Sequence, residues 1–312
     1  MFNKQIVLRL AILLILLSIS GTNSIAAETK TILIVSNAQS SAYQDIITGF
    51  KETLSTHANV ELKTYILSAL ENKTEFINTE IKIIEPDLIF ALGTASTKIA
   101  LQATQQIPII TTMLVKTEFL QQASNVTGVV LTYPLATQFQ WLKKVLPNLS
   151  HIAILYNINE NQNTINRGTN IAHEMGLKIS AIPVESARQL PYALKQLTKN
   201  IQVLLAIPDR VTMSTNTAKA VLLASFRNRI PMIGLTDNWV KAGAFYALSW
   251  NYLSIGKQCG DQAINVLNGK SIKRIPIVPP SNIEYSINKT VAERMNIELS
   301  SSLLNNAKIV FK

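Results

Sequence analysis

The feature that most constrains this chain is an alternation that begins at Thr31 and runs through most of its length. Short runs of β-branched and other apolar residues are each followed by a small or polar turn, then by a longer segment with apolar residues at helical spacing. The runs predict strands at 31–36, 60–66, 87–92, 107–112, 151–156, 178–184, 201–207 and 231–235. The intervening segments predict helices at 43–56, 74–84, 96–105, 137–146, 161–175, 187–198 and 217–228. Nearly continuous apolar strands that alternate with helices call for a sheet covered on both faces, so the expected class is α/β with doubly wound parallel sheets. The strands fall into two rounds of four, separated by a pause at 128–134, and 312 residues exceed what one core organises. Two lobes are expected. Beyond them, 244–250 reads as a return across the boundary, 254–268 as a further helix, and the proline-bearing stretch 275–285 as an extended third crossing rather than a core strand. The expected division is 28–131 with 251–277 for lobe I and 132–250 with 278–312 for lobe II, joined by a multi-strand hinge.

Residues 1–27 carry Lys4 and Arg9, an apolar run from Leu10, and a small, polar end with Ser24, Ala26 and Ala27. This is the pattern of a cleaved signal peptide, and its apolar run is about half the roughly 20 residues that span a bilayer. No Cys follows the run, so a lipoprotein anchor is not expected, and a periplasmic location is. The single Cys, Cys259, cannot form an intramolecular disulfide; it shares a helix face with Ile255 and Ala263 and is expected in the core. One Cys and three His leave no donor set for structural zinc, and neither a metal nor a cofactor is expected. His173 and Glu174 begin a zincin-like pair, but Leu177 stands where the second His belongs. The chain has no Gly-x-Ser-x-Gly elbow, P-loop or Gly-x-Gly-x-x-Gly, so an enzyme is not expected. The formal charge of +10 is dispersed among groups such as Lys143 with Lys144 and Lys270 with Lys273 and Arg274. None is interleaved with aromatics, which argues against nucleic acid as a partner.

In open parallel sheets, ligands bind outside the carboxyl ends of the strands. In the first round those ends offer Ser36, Asn37, Ser40 and Ser41, then Gly93, Thr94 and Ser96, then Thr112. These are hydroxyls, an amide and helix-start N–H groups, suited to a carboxylate or another acceptor, although helix capping would use the same residues. The second round offers Tyr156 and Asn157, then Asp209, then Asp237 and Trp239, with Trp250 and Tyr252 after the returning strand. Aromatics with two carboxylates suit a stacking wall and partners for a ligand donor or cation, while Asp209 and Asp237 could equally cap helices.

Particular stretches carry a family resemblance: NVTGV at 125–129, IPDR at 207–210, IPMIGLTDNWVKAGAFYAL at 230–248, IGKQ through NGK at 255–270, and IEYSINKTVAERMNI at 283–297. With these the chain resembles the bacterial ABC transporter substrate-binding proteins with the type I periplasmic binding fold, in the branch containing tryptophan- and tyrosine-binding members. The resemblance implies a hinged receptor, a monomer without chemistry of its own, that closes on a small molecule and presents it to an inner-membrane permease. The chain departs from the family after the fourth strand, where many members carry an Asp-Pro-Val turn and this one has Met113, Leu114, Val115, Lys116 and Thr117, and at Trp250, Asn251 and Tyr252, where many carry Asp-Tyr-Tyr. Two carboxylates of the family cleft are thereby absent, and Asp209 or Asp237 would have to serve a ligand ammonium. Both an aromatic amino acid and another largely apolar molecule fit this reading. An exported sensor of the same fold that signals to a membrane receptor or kinase is the alternative to import.

Overall fold

A computed structural model describes residues 29–56 and 59–312; the expected signal peptide at 1–27 lies outside the described residues. The first sheet is built from β1 (Lys30–Ser36), β2 (Val60–Ile66), β3 (Leu88–Leu92), β4 (Ile109–Thr112) and β5 (Val126–Gly128). They run parallel in the order β2-β1-β3-β4-β5, with Ile34 opposite Phe90 and Ile109 opposite Val126. All five residues of β3 are buried, because apolar side chains leave the sheet on both faces into separate clusters. Phe90 on one face stacks on Phe50 of the helix Ser41–Ser55 at 4.0 Å between ring centroids.

That helix packs against a second one, Tyr252–Leu267, from the far end of the sequence. Glycines set the separation. A Cβ on Gly49 would lie 2.1 Å from the Leu253 carbonyl oxygen, and one on Gly256 would lie 2.1 Å from that of Ile46. Cys259 follows one turn later, fully buried in the same core, where burial pushes its thiol up to about 12.

The second sheet contains β6 (His151–Tyr156), β7 (Lys178–Pro183), β8 (Val203–Leu205), β9 (Met232–Ile233), β10 (Tyr246–Trp250), β11 (Ile283–Asn288) and β12 (Ile309–Phe311). Its order is β12-β11-β10-β9-β8-β6-β7, parallel throughout except for the antiparallel pair β10–β11. Apolar clusters again cover both faces. The molecule is thus two α/β lobes, each a largely parallel sheet between helices.

The structure corrects several expectations. The pause at 128–134 begins inside β5, so the first sheet has five strands rather than four; Val126–Gly128 is too short to announce itself by period. The stretch 244–250 is β10, within the second sheet, and the return across the boundary comes after it. The stretch 275–285 is a crossing only in part. Val278 bridges Val129, and β11 then enters the second sheet, its polar residues individually satisfied. Ser286 Oγ donates to Asp237 Oδ1, and Asn288 Nδ2 to the Val240 carbonyl oxygen. The helix expected at 187–198 is confined to Leu190–Leu194. Among the described residues the chain passes between the lobes three times, after β5, after β10 and before β11.

Candidate functional site

The carboxyl edge of the first sheet is organised by Asn37. Its Oδ1 accepts from the Ser96 backbone N–H and hydroxyl, both at 2.8 Å. Gly93 makes this possible: with φ at +98° it turns the chain, and a Cβ there would stand 2.7 Å from the Asn37 amide nitrogen. Ser36 is buried and donates to the Ala38 carbonyl oxygen at 2.7 Å. Thr112 is also buried, its hydroxyl against the Cys259 thiol. Ser36, Asn37 and Ser96 are therefore engaged in building the edge, whereas the buried Thr112 hydroxyl makes no hydrogen bond within the protein. Ser40, Ser41 and Thr94 are exposed, and Ser40, at the cap of the helix Ser41–Ser55, makes no side-chain capping bond, while the helix that starts at Thr94 is capped by Gly93, which has no side chain to offer. The exposed hydroxyls remain open to an incoming molecule.

Asp209 occupies the corresponding centre of the second sheet. Its Oδ2 accepts from the Asn157 N–H at 2.5 Å and Asn161 Nδ2 at 2.9 Å; its Oδ1 accepts from the Val211 and Thr212 N–H groups at 2.8 and 2.7 Å. Burial pushes this carboxyl up, but the bonds from Thr212, Asn157, Val211 and Asn161 outweigh it and hold the group below its ordinary range. Asp209 is thus a tie between loops. Asn157 also caps the helix Ile158–Glu174 by accepting from the Asn159 N–H, and the Tyr156 hydroxyl donates to Gln162 Oε1. Trp239 lies over Gly234 and packs into the cluster on one face of the second sheet.

Trp250 is placed differently. It packs against a core cluster of each lobe, 6.5 Å from the Tyr252 ring. On one side it walls a chamber of about 220 Å³, lined by Val115 and Leu131 from lobe I, by Tyr133 and Thr132 of the first crossing, and by Pro208, Leu235 and Leu248 among others from lobe II. The Tyr133 hydroxyl donates to the Ser249 carbonyl oxygen at 3.0 Å, joining two crossings, and burial with the nearby Glu284 carboxylate raises its pKa. On its other side Trp250 shares a polar recess with Asp237, Asn238, Ser249, Tyr252 and Lys308. Burial raises the Tyr252 hydroxyl, with Lys308 acting against it and Asp237 and Tyr43 with it.

Beside the chamber, the Lys116 ammonium of lobe I pairs with the Glu160 carboxylate of lobe II, which also accepts from Arg210 Nε at 3.0 Å. Burial raises the Glu160 carboxyl, and hydrogen bonds from Lys116 and Arg210 outweigh it, so the group titrates below its ordinary range. The structure therefore brings Asp237, Trp250 and Tyr252 together around one recess and turns Trp239 toward a lobe core. Sequence reasoning missed Tyr133, Leu131 and the pairing of Lys116 with Glu160, and named Val115 only as a departure from the family. Tyr133 followed by Pro134, within the pause between rounds, was the available signal.

The comparisons with known proteins agree with this architecture. The family model described as ABC transporter substrate binding protein matches residues 30–311. A tyrosine-binding protein of Clostridioides difficile (strain R20291) is 26% identical over 239 residues, 73% of this chain and 68% of that protein. An uncharacterized protein of Rickettsia prowazekii (strain Madrid E) is 24% identical over 275 residues, 86% of each chain. Among solved structures, the ligand-free, open form of a substrate binding protein with adhesive properties from Clostridium difficile superposes with a TM-score of 0.74 at 22% identity, covering 91% of this chain and 100% of the other. A Streptococcus pneumonia ABC domain in complex with L-Trp superposes at 0.59 and 18% identity, with the same coverage. With a family model spanning nearly every described residue, this chain belongs to the ABC transporter substrate-binding protein family.

Proposed function

We propose that the chain is an exported, periplasmic solute-binding component of an ABC importer, a monomer that captures an aromatic amino acid or another largely apolar small molecule between its lobes and delivers it to an inner-membrane permease. The observation that carries this reading is the chamber walled by Trp250, to which residues of both lobes and of the first crossing contribute. A ligand there touches both lobes only when they approach, so it favours the closed form by the difference in its contacts with the two forms. The permease then has a ligand-dependent surface to recognise. In this reading lobe I comprises 28–131 with 251–277 and lobe II 132–250 with 278–312, and residues 1–27 are removed on export.

Within the cleft, Trp250 supplies the apolar wall, and the open hydroxyls of Ser40, Ser41 and Thr94 close over the ligand from lobe I. Asp237 and Tyr252 border it through the polar recess. The test is a thermal-shift and calorimetric screen of ligand-stripped protein against aromatic amino acids, apolar metabolites and small sugars. Stoichiometric, concentration-dependent stabilisation by at least one class is expected, about 2.7 kcal/mol when ligand stands at a hundred times its Kd. A well-folded preparation that is stabilised by nothing in a broad library would refute solute capture.

A further inference from the structure

We propose that the chamber selects an uncharged, largely apolar ligand that carries one hydrogen-bond donor and one acceptor, and that it discriminates against the zwitterionic head of an amino acid. This rests on the reading of the cleft as a solute site. The residues that line the chamber are mostly apolar, and the titratable groups among them are two tyrosine hydroxyls, that of Tyr133, already donated to the Ser249 carbonyl oxygen, and that of the buried Tyr246, with no carboxylate or ammonium in the lining. A ligand ammonium enclosed here needs a carboxylate, since burying an unpaired charge costs several kcal/mol.

Three of the surrounding carboxylates are committed, and a fourth, Glu118, is exposed and lines the adjoining cleft rather than the chamber. Asp209, next to the lining residue Pro208, already accepts hydrogen bonds on both oxygens. Glu160 holds Lys116 and Arg210. Asp237 accepts from Ser286 Oγ at 2.6 Å and lines the separate recess beyond Trp250, where Lys308 supplies a cation in advance of any ligand. Lys308 itself pairs with Glu284 at 2.9 Å, and Glu284 accepts from Asn251 Nδ2 through its other oxygen.

What the chamber does offer is neutral. Gln138 donates its Nε2 to the Tyr133 carbonyl oxygen at 3.0 Å, which orients the carboxamide and leaves Oε1 without a protein donor. Thr236, also in the lining, keeps a hydroxyl that bonds no protein group. The Thr132 hydroxyl is already donated to the Val115 carbonyl oxygen at 2.9 Å. The chamber thus presents an acceptor at Gln138, a hydroxyl at Thr236 and the Trp250 Nε1–H, which is buried and bonds no protein group, on walls that are otherwise apolar apart from the Tyr246 hydroxyl. A phenol or indole bearing a carbonyl on a short chain answers them, and a pocket built around a few placed hydrogen bonds rejects analogues that leave them unmade.

The experiment titrates the full-length exported protein, stripped of ligand, with three matched probes per ring. These are L-tyrosine and L-tryptophan, the corresponding 3-arylpropanamides, and the corresponding ethylarenes without a carbonyl. The amides are expected to bind at least about ten-fold more tightly than either the amino acids or the ethylarenes. Gln138→Leu and Thr236→Val should each weaken amide binding by about ten-fold; Thr236→Val should leave the unfolding midpoint of the free protein in place, and Gln138→Leu should lower it only by the lost bond to the Tyr133 carbonyl oxygen. An amino acid that binds as tightly as its amide overturns the inference, as does full retention of amide affinity in both variants. If no probe binds, the molecule found by a wider library screen decides: an uncharged hit supports the inference and a charged one overturns it. Failure of the entire library to bind is the separate failure of solute capture.

Discussion

Asp209 illustrates how a single residue can look like a binding group and act as a structural one. A carboxylate at a strand end is the signature of a ligand contact and of a cap alike, and nothing in the sequence around Pro208 and Arg210 reports that Asn157 and Asn161 arrive from another loop to occupy its second oxygen. Asp209→Ala should cost roughly 2–4 kcal/mol in denaturant unfolding, because four donors lose their acceptor in a buried place. The pH dependence has a defined sign. The folded pKa lies below the unfolded one, near 3.9, so this stabilisation is complete above that value and is lost as pH falls through the folded pKa. The stability gap between the natural protein and Asp209→Asn should therefore shrink below about pH 4, and a gap that is constant with pH would show that the carboxylate charge contributes nothing. Trp239 and Trp250 make the complementary case. Both are aromatic and one follows a strand while the other ends one, but Trp239 lies over Gly234 in a lobe core and Trp250 stands between lobes, a difference set by the helix Asp237–Lys241 that no period reveals.

At the scale of elements, the strands that were legible are those whose apolar runs are long enough to have a pattern. Lys30–Ser36, Val60–Ile66 and His151–Tyr156 match their expected bounds to within one residue. Val126–Gly128 and Ile309–Phe311 did not register, being three residues each, and Ile283–Asn288 was masked by Glu284, Ser286 and Asn288, whose partners come from distant segments. The pairing of the helices Ser41–Ser55 and Tyr252–Leu267 was equally invisible, although its cause is in the sequence as Gly49 and Gly256. Gly256→Ala would push a methyl group into the Ile46 carbonyl and must separate the helices. A loss of about 2 kcal/mol in chemical unfolding is expected, against the small gain that Gly→Ala gives in an unconstrained helix. A neutral or stabilising result would mean that the two backbones do not approach so closely in solution.

At the scale of the whole molecule, the two lobes and their repeated crossing were readable from the two rounds of alternation, whereas the contacts that govern their approach were not. Lys116 and Glu160 are 44 residues apart and belong to different lobes, so neither period nor motif could pair them. Glu160→Gln removes the charge that holds both Lys116 and Arg210, and the lobes should then separate further. Small-angle scattering of the ligand-free variant is expected to give a larger radius of gyration, with weaker binding of any ligand that requires closure. The natural protein should approach the same behaviour as acid protonates Glu160, since a depressed carboxyl contributes its stabilisation above its unfolded pKa and loses it as pH falls through the folded one. An unchanged radius for Glu160→Gln would remove the pair from any account of lobe closure.

The helix Tyr252–Leu267 belongs by packing to the first lobe, although five of the second sheet's seven strands precede it in the chain. During vectorial synthesis, N-terminus first, the apolar faces of Phe50 and Leu54 therefore wait uncovered until about residue 267 has emerged. Contacts of such long sequence separation form late. The first lobe completes its core only after most of the second has been made, a kinetic property written into the order of its segments.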